Sequence, residues 1–215
     1  MIKTIIFDMD GLLIDSEPLW RESEIETFKD YGYPFREEYC FETMGMRVDS
    51  VVEYWIQKFD GNVEDKNIIA QKIMDGVIER IQGKATLMPG AQEIFEIFLQ
   101  EGLPMSIASS SYARVIDAVV KKFELEKYLE VIYSAEYEEF GKPHPGVYLT
   151  TAQKLNVLPE ECMVFEDSIA GVQSAKSAGM KCIAIPTKEI RHKKEFEEVD
   201  FVLDSLSDFS LNFVQ

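Results

Sequence analysis

The chain is short of cysteine, of positive charge and of long apolar runs, and each shortage removes a class of function. Its three cysteines, Cys40, Cys162 and Cys182, are odd in number and far apart. They form neither a disulfide framework nor a zinc-ligand pattern, and are expected to be buried free thiols. Basic residues number 22 against 39 acidic ones, a formal net charge of -17. Nucleic-acid phosphates need basic surface, so nucleic acid is excluded as a partner, and anionic membranes are disfavoured for the same reason. No apolar run is long enough to span a bilayer. Met1-Ile2-Lys3 leads straight into a strand pattern and not into a signal peptide. There is no internal repeat and no low-complexity segment. The expectation is a cytoplasmic, globular monomer whose acidity serves solubility. A small phosphorylated ligand stays possible, because one cation and one or two Lys or Arg can invert the field inside a cleft.

What is present begins near the N-terminus. The run Thr4-Ile5-Ile6-Phe7 reads as a strand and delivers Asp8 and Asp10 into a glycine turn at Gly11. Side chains on a strand alternate, so residues 8 and 10 are predicted to leave the backbone on one side. Two carboxylates held together repel, and a hard divalent cation such as Mg2+ offsets the repulsion through oxygen ligands. The pair suggests metal-assisted chemistry, with one carboxylate as nucleophile and the other as acid and base. Asp-x-Asp-Gly alone is also met in surface turns and calcium loops.

The rest of the chain falls into two stretches. Residues 16–83 read as helical: Val48, Val51, Val52, Trp55, Ile56 and Phe59 recur at helical spacing, and Ala70, Ile73, Met74, Val77, Ile78 and Ile81 repeat it. Breaks at residues 32–34 and 59–62 divide this stretch into a bundle of three or four helices. From about residue 86 strands and helices alternate. Strands are predicted at 104–108, 131–133, 162–165 and 181–185, with an edge strand near 201–203. That alternation implies a parallel sheet covered on both faces. Ligands of such sheets bind at the carboxyl ends of the strands. The helical stretch is inserted just after the first strand, so it is expected to cover the site as a cap. Hinges are expected near 14–17 and 83–88.

Four signals sit at predicted strand ends: Asp8 with Asp10, Ser109-Ser110-Ser111, Lys142 between Gly141 and Pro143, and Glu166-Asp167 before Ser168. Taken singly, the serines could be a loop and a cap, the lysine a surface residue, and the acids a first turn complementing a helix dipole. Taken together they match phosphoryl transfer. That reaction needs an in-line nucleophile, neutralised phosphoryl oxygens and a positioned acid and base. Hydroxyls and backbone N–H groups at a helix start hold phosphate oxygens, and lysine supplies a compact positive charge.

On these motifs, from Asp8 to Asp167, the chain resembles the haloacid dehalogenase superfamily, in its beta-phosphoglucomutase-like branch. The string from Phe7 to Trp20, with Gly45-Met46-Arg47 and Asp49, most resembles the hexitol phosphatase and 2-deoxyglucose-6-phosphate phosphatase subgroup. The resemblance implies a Rossmann-like α/β core (residues 1–15 and 86–215) with an inserted helical-bundle cap (residues 16–85). It implies Asp8 as nucleophile forming an aspartyl-phosphate, and Asp10 as acid and base. Ser109, Ser110 (through its backbone) and Lys142 would hold the phosphoryl group. Mg2+ would be bound by Asp8, the backbone carbonyl of Asp10, and Asp167, with Glu166 direct or through water. Glu17, Trp20 and Arg47 are candidates for reading a small phosphorylated sugar or polyol. The alternative is a beta-phosphoglucomutase-type isomerase. Those mutases carry histidine where Trp20 stands, a cap arginine one place later than Arg47, and a polar pair where Tyr112-Ala113 stands. Hydrolysis is therefore favoured.

Overall fold

The computed structural model describes residues 1–62 and 66–214. Strands β1 (Thr4–Phe7), β2 (Met105–Ser109), β3 (Leu129–Ser134), β4 (Cys162–Glu166), β5 (Lys181–Ala184) and β6 (Phe201–Val202) form one sheet in the order β3-β2-β1-β4-β5-β6. Every pairing is parallel. The chain builds outward from β1 in one direction and then crosses to β4 and builds in the other. The switch point therefore lies between β1 and β4, where open α/β sheets bind ligands.

Both faces of the sheet are buried, which is why the central strands read as continuous apolar runs. Ile5 and Phe7 of β1 join the apolar layer beneath α5 (Ala91–Gln100) and α6 (Ala113–Lys122), while Ile6 joins the layer beneath α7 (Gly146–Leu155) and α8 (Ile169–Ser177). Phe7, Phe95, Phe98 and Phe165 pack ring against ring on the first face, with Phe7 and Phe165 centred 5.1 Å apart. The predicted edge strand is present as the two residues of β6.

Between β1 and α5 the described residues form four helices: α1 (Glu17–Asp30), α2 (Glu37–Cys40), α3 (Val48–Lys58) and α4 (Lys66–Lys84). Residues 63–65, between α3 and α4, lie outside the described residues. The apolar stripe of α3 faces inward as its spacing predicts, with Val48, Val51, Val52, Trp55 and Ile56 buried. An aromatic stack not anticipated from spacing fills the insertion: Phe28 lies on Phe35 at 4.4 Å and Tyr39 on Trp55 at 4.7 Å. The two connecting segments run side by side, with Asp15 N–H donating to Thr86 O at 3.0 Å and Met88 N–H to Leu13 O at 2.9 Å. Of the three thiols, Cys162 and Cys182 are buried as expected, but Cys40, at the end of α2, is only half-buried. No helix among the described residues is long and apolar enough to cross a membrane.

Candidate active site

Asp8 follows β1 directly, and its N–H donates to Phe165 O of β4 at 2.9 Å. Lys142 reaches it from the loop before α7. The lysine Nζ lies 2.6 Å from Asp8 Oδ1, 2.6 Å from Glu166 Oε1 and 3.2 Å from Ala108 O. Tyr148, on the first turns of α7, donates to the same Glu166 oxygen at 2.6 Å. The other oxygen, Oε2, accepts from the N–H groups of Asp167 and Ser168 and from Ser168 Oγ. Glu166 is thus fully hydrogen-bonded at zero exposure. The start of α8 folds tightly over it: a Cβ on Gly171 would stand 1.7 Å from Glu166 Oε1, so no side chain fits there.

Asp167 presents the opposite case. Its Oδ2 is buried and has no hydrogen-bond partner in a side chain only 2% exposed. Such a group costs free energy unless a ligand satisfies it. Ligand oxygens of Asp8, Glu166 and Asp167 all lie within 4.8 Å of one another. Burial, with Glu166 and Asp10 adding to it, pushes the Asp8 carboxyl up to about 8 despite the neighbouring ammonium. Asp167 is held well above the carboxylate range by burial, Glu166, Asp8 and Glu17. Burial works against the charge on Lys142, yet Asp8 and Glu166 outweigh it and raise its pKa. One ammonium among three buried carboxyls leaves an excess of negative charge, and an orphaned oxygen faces it. These donors fit a hard divalent cation. Gly11 keeps the approach open, since its φ of +75° suits glycine and a Cβ there would lie 2.3 Å from Asp167 Oδ2.

Asp10 lines the same cleft but bonds to other partners. Its Oδ1 accepts from Ser16 Oγ at 2.7 Å and Trp20 Nε1 at 2.8 Å, and its Oδ2 from Ser111 Oγ at 2.7 Å and Ser109 Oγ at 3.5 Å. The two aspartates line one cleft but do not share one set of partners. β1 ends at Phe7, and Asp10 bridges to Ile14 in the turn that follows. The Asp10 side chain is outside the three-carboxylate group.

Ser109 ends β2 within this cleft, where its Oγ also accepts the N–H of Ser111 at 3.0 Å. The Ser110 hydroxyl is turned to the insertion, donating to Gly45 O at 2.8 Å. From the insertion, α1 contributes Glu17, Trp20, Arg21 and Glu24 to the lining. Burial, chiefly, and Asp10 push the Glu17 carboxyl up to about 7. Trp20 lines the cleft with its N–H committed to Asp10. Arg47 is not brought into the lining. Its guanidinium donates to both oxygens of Asp49 and, at 2.9 Å each, to the carbonyls of Ala135 and Glu138. It joins the insertion to the core. Four further residues shape the site without belonging to its motif roles: Ser16 and Ser111, which hold Asp10, Tyr148, which holds Glu166, and Glu24. The serines stand beside motif residues, a usable signal. Tyr148 and Glu24 carry none, because only helix phase places them.

A family model for haloacid dehalogenase-like hydrolases matches residues 5–185. The chain is 34% identical over 210 residues to hexitol phosphatase B of Escherichia coli K12, covering 97% of this chain and 95% of that protein. It is 31% identical over 183 residues to a phosphorylated carbohydrates phosphatase of Thermotoga maritima, covering 85% of this chain and 84% of that one. Among solved structures it is similar to CbbY of Rhodobacter sphaeroides in complex with xylulose-(1,5)bisphosphate, at a TM-score of 0.90 and 26% identity over the whole of both chains.

Proposed function

Because this chain belongs to the haloacid dehalogenase-like hydrolases, we propose that it is a Mg2+-dependent phosphatase of small sugar or polyol phosphates working through an aspartyl-phosphate. The observation that carries the reading is the buried cluster in which Asp8 meets Lys142 at 2.6 Å beside the unpartnered Asp167 oxygen. Asp8, Asp167 and the Asp10 carbonyl would hold the cation, with Glu166 behind them fixing Lys142. When bound, the cation neutralises phosphoryl oxygens during transfer.

In this reading an Asp8 oxygen attacks phosphorus in line. The bond from phosphorus to the ester oxygen breaks, and Asp10 gives that oxygen its proton. The sugar or polyol leaves as an alcohol. Asp10, now ionised, takes a proton from water, which attacks the aspartyl-phosphate, freeing phosphate and restoring Asp8. Ser109, the Ser110 backbone and Lys142 hold the transferring group. Residues 16–85 act as a cap that admits substrate and limits water. Phosphate release is favoured over mutase chemistry because Arg47, the cap arginine available for a second phosphate, is bonded to Asp49 and the core backbone. The enzyme is taken to be a cytoplasmic monomer.

The test is phosphate release from sugar, polyol and nucleotide monophosphates with Mg2+ and with EDTA. Release should require the cation, and Asp8→Asn should lower it by more than about 10⁴-fold while the melting temperature holds. Release that survives EDTA or Asp8→Asn overturns the mechanism. Conversion of beta-glucose 1-phosphate only when a bisphosphate is added would replace it with the mutase.

A further inference from the structure

Glu17, Trp20, Arg21 and Glu24 fall at i, i+3, i+4 and i+7 of α1, one stripe of the helix. That stripe lines the cleft from Glu17, near Asp10 and Asp167, to Glu24, and Thr43 lines it too. Glu24 is only 7% exposed, an unusual depth for a carboxyl in the middle of a helix. It is hydrogen-bonded to the Cys40 thiol, and Arg21 acts on it as a charged neighbour. Among the described residues lining the cleft Arg21 is the only basic one, and it is already used: Nη1 lies 2.7 Å from Glu37 Oε1, and the guanidinium stacks on Phe41 at 5.1 Å. Once a phosphoryl group sits at Asp8, the part of the substrate beyond it meets carboxyls, a hydroxyl and apolar side chains.

We propose that Glu24, with Glu17, is a charge filter that restricts this phosphatase to substrates whose far end is uncharged and rich in hydroxyls. The inference rests on the phosphatase reading and deepens it. A carboxyl oxygen accepts a hydrogen bond from a substrate hydroxyl, and the apolar wall suits the C–H faces of a sugar or polyol. A second phosphate or a carboxylate would be taken out of water beside two buried carboxyls, where the neighbouring guanidinium, Arg21, is already paired with Glu37, and burying a charge that nothing pairs is costly. The role of Glu24 is separate from catalysis, since it bonds to none of Asp8, Asp10, Lys142 or Asp167.

The test compares kcat/KM for a hexitol 6-phosphate, the matching hexitol 1,6-bisphosphate and 4-nitrophenyl phosphate. The unaltered protein should favour the monophosphate over the bisphosphate by at least about 100-fold, and Glu24→Gln should shrink that ratio by about tenfold. A purely structural role for Glu24 would lower both hexitol esters together and leave the ratio where it was. The inference is overturned by equal turnover of the two hexitol esters, or by an unchanged ratio in a Glu24→Gln protein that melts normally. The ratio in the unaltered protein needs no variant, so it decides even if Glu24→Gln fails to fold. No phosphate from any of the three esters would remove the phosphatase reading and the filter with it. Release from 4-nitrophenyl phosphate without discrimination between the hexitol esters would remove the filter alone.

Discussion

At the sheet end of the cleft, Asp8, Lys142, Glu166 and Tyr148 bond to one another in a buried network with every oxygen of Glu166 occupied. At the helical end, the stripe of α1 offers Glu17 and Glu24, whose carboxyls have few donors around them. The first end is committed before substrate arrives. The second has hydrogen-bonding capacity left for a ligand to use. Where the chemistry does not change, a rigid and balanced arrangement lowers the reorganisation needed during reaction. Where the choice among substrates is made, unspent acceptors are the useful feature.

The contrast can be broken hardest at Lys142. Lys142→Met removes the one cation from the network and strands Asp8 and Glu166 as buried carboxylates. Breaking a buried pair in this way costs about 3–5 kcal/mol. Urea unfolding should show that loss together with loss of phosphate release, whereas a drop under about 1 kcal/mol would mean the network is not holding the fold.

A smaller effect is expected at the other end, and it depends on pH. Burial sets the Glu24 carboxyl at about 7 in place of 4.5. Below pH 4.5 the group is protonated whether the chain is folded or not, and its contribution to stability is fully present. As pH rises to 7 the unfolded chain gives up the proton first, and the contribution is lost. Glu24→Gln cannot ionise, so its stability relative to the unaltered protein should rise by about 2 kcal/mol between pH 5 and pH 8. Parallel pH profiles for the two proteins would show that Glu24 ionises freely.

The smallest effect sharpens the comparison where the ends meet, at Trp20. Trp20→Phe keeps an aromatic ring but removes the N–H that holds Asp10. Turnover of a sugar phosphate, whose leaving oxygen needs a proton, should fall by about tenfold. Turnover of 4-nitrophenyl phosphate, whose leaving group departs as an anion, should fall much less. Equal losses on both would assign Trp20 to packing.

Much of the sheet end was legible because each of its parts is a short signature at a strand end. The apolar run before Asp8, the serines after Ala108, the lysine between Gly141 and Pro143 and the acids after Phe165 all announce their place locally. The helical end was legible as helices and much less as a site. Glu24 looks like any surface acid in a chain with 39 of them. Only the rotation of α1 against α4 and the sheet turns it inward. Arg47 stood out as a solitary cation after Gly45-Met46, yet its partners include two backbone carbonyls 88 and 91 residues away, which no local pattern encodes. Alternation brings Asp10 into the cleft with Asp8, but its partners Ser16, Trp20 and Ser111 come from the turn, the cap and another strand end, which alternation does not encode.

The pairing of the two connecting segments has one more consequence. Residues 13–15 leave the core at the spot where residues 86–88 return to it, bonded strand to strand. Along the chain, everything between them is a loop closed at one place, although Arg47 and Ser110 also tie it to the core, and the cost of closing a loop grows only slowly with its length. Added length inside the insertion therefore costs little at that junction. A lineage that revises the insertion still has to keep Trp20, whose N–H holds Asp10, so one residue of the cap stays tied to the reaction.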